Sequence, residues 1–148
     1  QNIIFFKKEG GHPLREFSSL DEMHGAIINR WCQTVKTDDH VYVLGDICFD
    51  QKYMNIFSGL PGHKRLVLGN HDLFNIQVYA KYFEKIFGVR QHNGVWLTHT
   101  PMHEDSINAP GVICNVHGHL HSNIIKHPKY VNVCCEQIDF CADCTVLT

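Results

Sequence analysis

Four short apolar runs in this chain end in side chains that bind metal ions. Val41–Leu44 runs into Gly45–Asp46, and Leu66–Leu68 into Gly69–Asn70–His71–Asp72. Val95–Leu97 leads to Thr98–His99, and Ile113–Val116 to His117–Gly118–His119–Leu120–His121. Carboxylate oxygen, carboxamide oxygen and imidazole nitrogen together suit a borderline divalent ion such as Mn, Fe, Ni, Co or Zn. We therefore take Asp46, Asn70, His99, His119 and His121 as the candidate ligands. Because a carboxylate has two oxygens, Asp46 could bridge two ions. A pair about 3.5–4 Å apart lowers the pKa of a shared water and holds phosphoryl oxygens. Charge growing on those oxygens is what such a site must neutralise. His71 follows Asn70 directly, so it lies near the metal without having to bind it, and it is the candidate general acid. Asp72 would accept from His71 or orient a neighbouring loop.

Each of these residues also has a plainer reading. Asp46 after Gly45 is a common cap or turn residue, and Gly69–Asp72 taken alone could be a turn. His119 and His121, two apart, could alternate on a strand surface, and a lone His99 could be structural. What speaks against coincidence is the recurrence at four strand ends, since open α/β sheets place their chemistry at the carboxyl edge. Of the other histidines, His103 is kept as a candidate substrate contact, with Lys64 and Arg65 behind it.

The positioning elements follow from periodicity. Ser18 or Ser19 can cap a helix with Asp21 and Glu22 in its first turn. Leu20, Met23, Ile27, Arg30 and Trp31 then recur at helical spacing. A short helix is expected over Gln51–Phe57. A longer amphipathic one is expected over Leu73–Gly88, carried by Phe74, Val78, Tyr82, Phe83, Ile86 and Phe87. Strands are expected at Val41–Leu44, Leu66–Leu68, Val95–Leu97, Ile113–Val116 and Tyr130–Val133, and a further one at Ile138–Phe140. Pro101–Pro110 is a polar excursion suited to a loop over a site. Helices alternating with short β-branched strands predict an α/β sandwich whose sheet is mixed or doubled.

The bulk numbers bound the rest. A chain of 148 residues, 44% hydrophobic and 19% charged, is expected to form one domain, 1–148. A net charge of −2 and the lack of a basic, aromatic-rich run argue against stable nucleic-acid binding. No apolar run approaches the length of a membrane span, and the first residues lack the order of a signal peptide. Seven cysteines, an odd number with neighbours at 134 and 135, fit a reducing, cytoplasmic setting better than a disulfide framework. Cys134, Cys135, Cys141 and Cys144 leave open a zinc clip, a disulfide or packed thiols.

In order and spacing, Gly45–Asp46, Gly69–Asn70–His71–Asp72, His99 before Thr100–Pro101, and Gly118–His119–Leu120–His121 resemble the signature of the calcineurin-like metallophosphoesterases. The small single-domain phage and bacterial members are the nearest in pattern, and the likeness covers almost the whole chain. It implies a four-layer αββα sandwich with one or two divalent ions at the sheet edges, hydrolysing a small phosphoester or nucleotide. By the same resemblance Asp46 bridges the ions, Asn70, His99 and His119 complete one, His121 belongs to the other, and His71 is the acid.

One departure bears on the chemistry. The family opens with a strand ending in Asp-x-His, which this sequence lacks; Asn2–Ile3–Ile4 onward is similar to what normally follows it. The chain as given is thus expected to begin one strand late. A second alignment takes Ile3–Phe6 as that strand, with Glu9 and His12 as a degenerate pair. The ion served by Asp46 and His121 would then be weakly held. A metal-binding or scaffold protein without turnover is the rival expectation.

Overall fold

A computed structural model of the protein describes residues 17–137. Helix α1 (Leu20–Thr34) starts where the capping residues predict: the Ser19 hydroxyl accepts from the Glu22 amide, and the Glu22 carboxylate accepts from the Ser18 amide. Its Trp31 indole donates to the Pro61 carbonyl at 2.9 Å and packs edge-on against Phe57, which ties the helix to the loop ahead of the second strand.

Among the described residues seven strands form two sheets. The first is parallel, in the order β1 (His40–Val43), β2 (His63–Val67), β3 (Lys85–Phe87). The second, in the order β4 (Arg90–His92), β5 (Val95–Thr98), β6 (Cys114–His117), β7 (Tyr130–Asn132), is mixed. Within it β4 and β5 are antiparallel, and β5, β6 and β7 run parallel. The expected α/β class with a doubled sheet is therefore present. The three described helices other than α1 are short: a 3-10 helix at Gln51–Gly59, α2 (Ile76–Tyr79) and α3 (Glu104–Ile107). Among the described residues no helix is long and apolar enough to cross a membrane.

Leu73–Gly88 departs from the expected helix. Only Ile76–Tyr79 is helical; the chain then turns, the Glu84 amide donates to the Lys64 carbonyl, and Lys85–Phe87 pairs with β2. The apolar residues that suggested the helix still reach the core. Phe74, Val78, Tyr82, Phe83 and Ile86 pack around Met54, Leu66 and Tyr79. Edge pairing decides this case, because without β3 the buried strand β2 would leave one row of backbone groups unpaired. Arg90–His92 is also a strand, joined to β5 by a two-residue turn. Asn93 (φ 47°) and Gly94 (φ 80°) supply the left-handed pair such a hairpin requires.

Arg90 of β4 reaches across to residues of the first sheet. The Arg90 guanidinium lies 5.4 Å from the centre of the Phe87 ring, and Arg65 donates to the Tyr42 hydroxyl at 2.8 Å. Burial pushes the Tyr42 phenol up, but hydrogen bonds from Arg65 and Arg90 outweigh it and the net shift is downward. Arg65 is thus engaged with its cross-strand neighbour within the first sheet. Lys64 donates to the Leu60 and Gly62 carbonyls at the amino end of β2, about 16 Å of strand away from Gly69. Both side chains thus have partners within the first sheet and its loops. His103 caps α3, with its ring accepting from the Asp105 amide, and stays exposed.

The Pro101–Pro110 excursion is pinned from beneath by the second sheet. Buried Asn115 accepts from the Met102 amide, Tyr130 donates to the Met102 carbonyl, and Lys129 donates to the carbonyls of Ile107 and Val112. The possible strand at Ile138–Phe140, Cys141 and Cys144, and the second alignment through Ile3–Phe6, Glu9 and His12 all lie outside the described residues.

Candidate metal centre

The carboxyl ends of β1, β2, β5 and β6 converge. The contact begins with two glycines set back to back. A Cβ on Gly45 (φ 79°) would come within 2.6 Å of the Gly69 Cα and 2.9 Å of the His99 ring. One on Gly69 would strike the Asp46 carboxylate. Only glycine allows the two loops to approach this closely, and only glycine holds that φ without strain. The expected result for Gly45→Ala is a loss of several kcal/mol of stability, read by thermal melting, together with a displaced Asp46.

Around this contact three donor atoms face one another. His99 is buried, and its Nδ1 lies 2.6 Å from the Leu44 carbonyl oxygen. A carbonyl only accepts, so Nδ1 carries the proton and the lone pair of the neutral ring sits on Nε2. That Nε2 is 3.1 Å from Asp46 Oδ2 and 3.2 Å from His119 Nδ1. Ligand atoms of Asp46, His99 and His119 all lie within 4.8 Å of one another. Two donors bound to one ion at about 2.1 Å, at tetrahedral to octahedral angles, are themselves about 3.0–3.4 Å apart. The two spacings measured from His99 Nε2 fall within that interval. Lone pairs converging in this way call for a positive charge between them. A divalent ion fits the donor set.

The backbone is strained where the ligands sit. Among the described residues, four other than glycine have a left-handed φ: Asp46 (53°), His119 (67°), His121 (51°) and the hairpin residue Asn93. Such a conformation costs about 1–2 kcal/mol for an L-residue, and its concentration at one place is characteristic of functional sites. Partial desolvation and the neighbouring His99 lower the pKa of His119, opposed by Asp46, so its ring is neutral and able to coordinate near neutral pH. Fully buried His117 is also shifted down, by burial, and belongs to the core beside Tyr130.

Asp72 is the organiser of the loops. Its Oδ2 accepts from the amides of Asp46 and Gly69, both at 2.8 Å, and its Oδ1 from that of Ile47 at 3.0 Å. Of the two roles the sequence left open, it orients the neighbouring loop. The His71 amide donates to Asp46 Oδ1 at 2.9 Å, leaving Oδ2 to point at His99. The His71 side chain is exposed, with its ring centre 5.3 Å from that of Phe49. Asn70 is exposed on the wall of a cavity of about 360 Å³ shared with His99, Thr100, Pro101 and Met102. His121 lies outside the three-donor cluster, although it and His71 are near enough to disfavour protonation of His119. Its ring meets Glu136, a residue that sequence reasoning passed over; a single acid following Val131–Cys135 was the available signal.

No family model matches the chain. It is 32% identical over 124 residues to the uncharacterized protein MJ1445 of Methanocaldococcus jannaschii, a match taking in 80% of this chain and 64% of that one. Over 58 residues it is 38% identical to the Gene 66 protein of Mycobacterium phage L5, covering 36% of this chain and 28% of that protein. The chain thus spans less than two thirds of the length of these curated relatives. Among solved structures, the protein of unknown function AQ665 from Aquifex aeolicus superposes with a TM-score of 0.64 at 24% identity, over 82% of this chain and 81% of that one. This likeness establishes a shared α/β fold, the frame on which the four strand ends meet.

Proposed function

We propose that the protein is a metal-dependent phosphoester hydrolase of the calcineurin-like type, built on the four-layer αββα sandwich that its motif order implies and acting on a small phosphodiester or nucleotide. The observation that carries this reading is the convergence of Asp46, His99 and His119 donor atoms at metal-ligand spacing on strained, glycine-bracketed strand ends. Asn70 on the cavity wall would add an amide oxygen, and His121 would serve a second ion. Manganese, iron, nickel, cobalt and zinc all suit the donors. When bound, such an ion supplies the positive charge that acidifies water and neutralises phosphoryl oxygens. Asp46 holds its carboxylate toward the centre through the His71 amide, His99 keeps its lone pair inward through Leu44, and the cavity beside Asn70 admits the ester. His71, exposed at the rim, donates a proton to the departing oxygen.

His71→Ala is therefore expected to lower kcat by about 10²-fold or more while metal content per chain stays unchanged. Loss of metal in that variant would assign His71 to binding instead. The direct test of the whole reading is metal stoichiometry together with hydrolysis of a chromogenic phosphodiester in added manganese. Uptake of at least one ion with chelator-sensitive turnover supports it, and a chain that takes up no ion refutes it. A second reading, a metal-binding protein without turnover, is favoured by one observation: among the described residues the donor cluster takes in Asp46, His99 and His119 and leaves His121 outside it. Metal uptake without hydrolysis would select that reading.

A further inference from the structure

The geometry points to Glu136 as the positioning residue for His121, part of a clamp with Asn132 and Gln137 that fixes which imidazole nitrogen faces the metal centre. This rests on the metal-binding reading above. His121 occupies a left-handed backbone conformation (φ 51°), and its carbonyl accepts from two carboxamides, Asn132 Nδ2 and Gln137 Nε2, each at 3.1 Å. The same Asn132 amide also donates to the Asn123 carbonyl at 2.9 Å, and its oxygen accepts from the Cys134 amide at 2.9 Å. One side chain at the end of β7 thus joins the loop after His121 to the segment that carries Glu136. With the backbone held, the Glu136 carboxylate comes 3.3 Å from His121 Nδ1. The acid side chain is 1% exposed and the imidazole 46% exposed, so the ring is gripped from its inner side and open on the other.

A carboxylate only accepts, so the contact keeps the proton on Nδ1 and leaves the lone pair on Nε2, away from Glu136. A carboxylate behind a ligating histidine in this way fixes the tautomer and ring orientation and raises the basicity of the metal-facing nitrogen. It also accounts for a buried acid 15 residues from His121 in sequence, at a position the ligand motifs do not include.

The test begins on metal-free full chain, so that it does not depend on turnover. Long-range proton–nitrogen spectra of labelled histidine, with His121 assigned through His121→Ala, should show the Nδ1–H tautomer in the parent protein. Glu136→Ala should lose that preference and Glu136→Gln, whose amide oxygen can still accept, should retain part of it. In cobalt titrations Glu136→Ala should weaken the His121-dependent equivalent about 10–100-fold and leave the Asp46–His99–His119 equivalent unchanged. If His121 keeps the same tautomer in Glu136→Ala while the variant only melts earlier, Glu136 is merely structural and the inference is overturned. If the tautomer responds as expected but the parent protein takes up no cobalt, the clamp stands as a histidine-orienting device and the hydrolase reading falls.

Discussion

Asp46→Asn is expected to remove divalent-metal uptake at the three-donor centre and to lower phosphodiester hydrolysis on the order of 10³-fold, with little change in thermal stability. Of the three clustered donors Asp46 is the one carboxylate, and the other two are imidazoles. Asparagine keeps its shape, so the amide oxygen can still accept from the His71 amide, as Asp46 Oδ1 does at 2.9 Å. The new Nδ2 then faces the unprotonated His99 Nε2, which lies 3.1 Å from Asp46 Oδ2, and can donate to it. The substitution therefore satisfies the lone pair that an ion would otherwise take. Stability is held or slightly raised while affinity is lost. Calorimetric titration with manganese and a melting curve separate the two effects. A variant that binds metal as the parent does would show that the carboxylate is no ligand, and a large fall in melting temperature would show that it is a loop residue first.

The parts of this site legible in the sequence are those set by strand ends. A strand running into Gly45, Gly69 or Gly118 announces where backbones approach, and the polar residue that follows is aimed by the sheet edge. Hence Asp46, His99 and His119 could be named from their spacing. The misplaced helix at Leu73–Gly88 has the opposite origin. Its apolar residues recur at three and four, but that spacing serves a single helical turn, a bend and the three-residue strand Lys85–Phe87. Only the need of β2 for a neighbour discloses this, and that need is a long-range fact. Short β4 was hidden for a similar reason, although its Asn93–Gly94 turn was in plain view. Glu136 was illegible because nothing local links it to His121. The link exists only once β7 pairs with β6 and brings Asn132 level with His117. Left-handed backbone at His119 and His121 was likewise illegible, since even residue types enriched there adopt it in only a small share of cases.

Asp72→Ala is expected to destabilise the protein by about 3–5 kcal/mol, because one carboxylate satisfies three backbone amides on two different loops. The amides of Asp46 and Gly69 share Oδ2, and that of Ile47 uses Oδ1, so the residue stitches the end of β1 to the end of β2. Each hydrogen bond to a charged acceptor contributes roughly 1.5–3 kcal/mol, and the three are lost together rather than additively. Two of the amides lie at the Gly45–Gly69 contact, which side chains cannot fill, so apart from the bond from the His71 amide to Asp46 Oδ1 these three hold the loops in register. For a chain of this size the change corresponds to a fall in melting temperature of roughly 10–15 °C. Metal affinity should drop with it by about 10–100-fold, because the amide of Asp46 would no longer be fixed in the conformation that turns its carboxylate inward. Asp72→Asn makes the mechanism specific. It keeps one accepting oxygen but presents its carboxamide NH2, a donor, to a backbone amide that needs an acceptor, so it should recover part of the stability and little of the metal affinity. Equal melting temperatures for parent and Asp72→Ala would mean that water replaces the carboxylate at all three amides, and that the glycine contact and the His71 amide bond to Asp46 suffice to hold the two loops together.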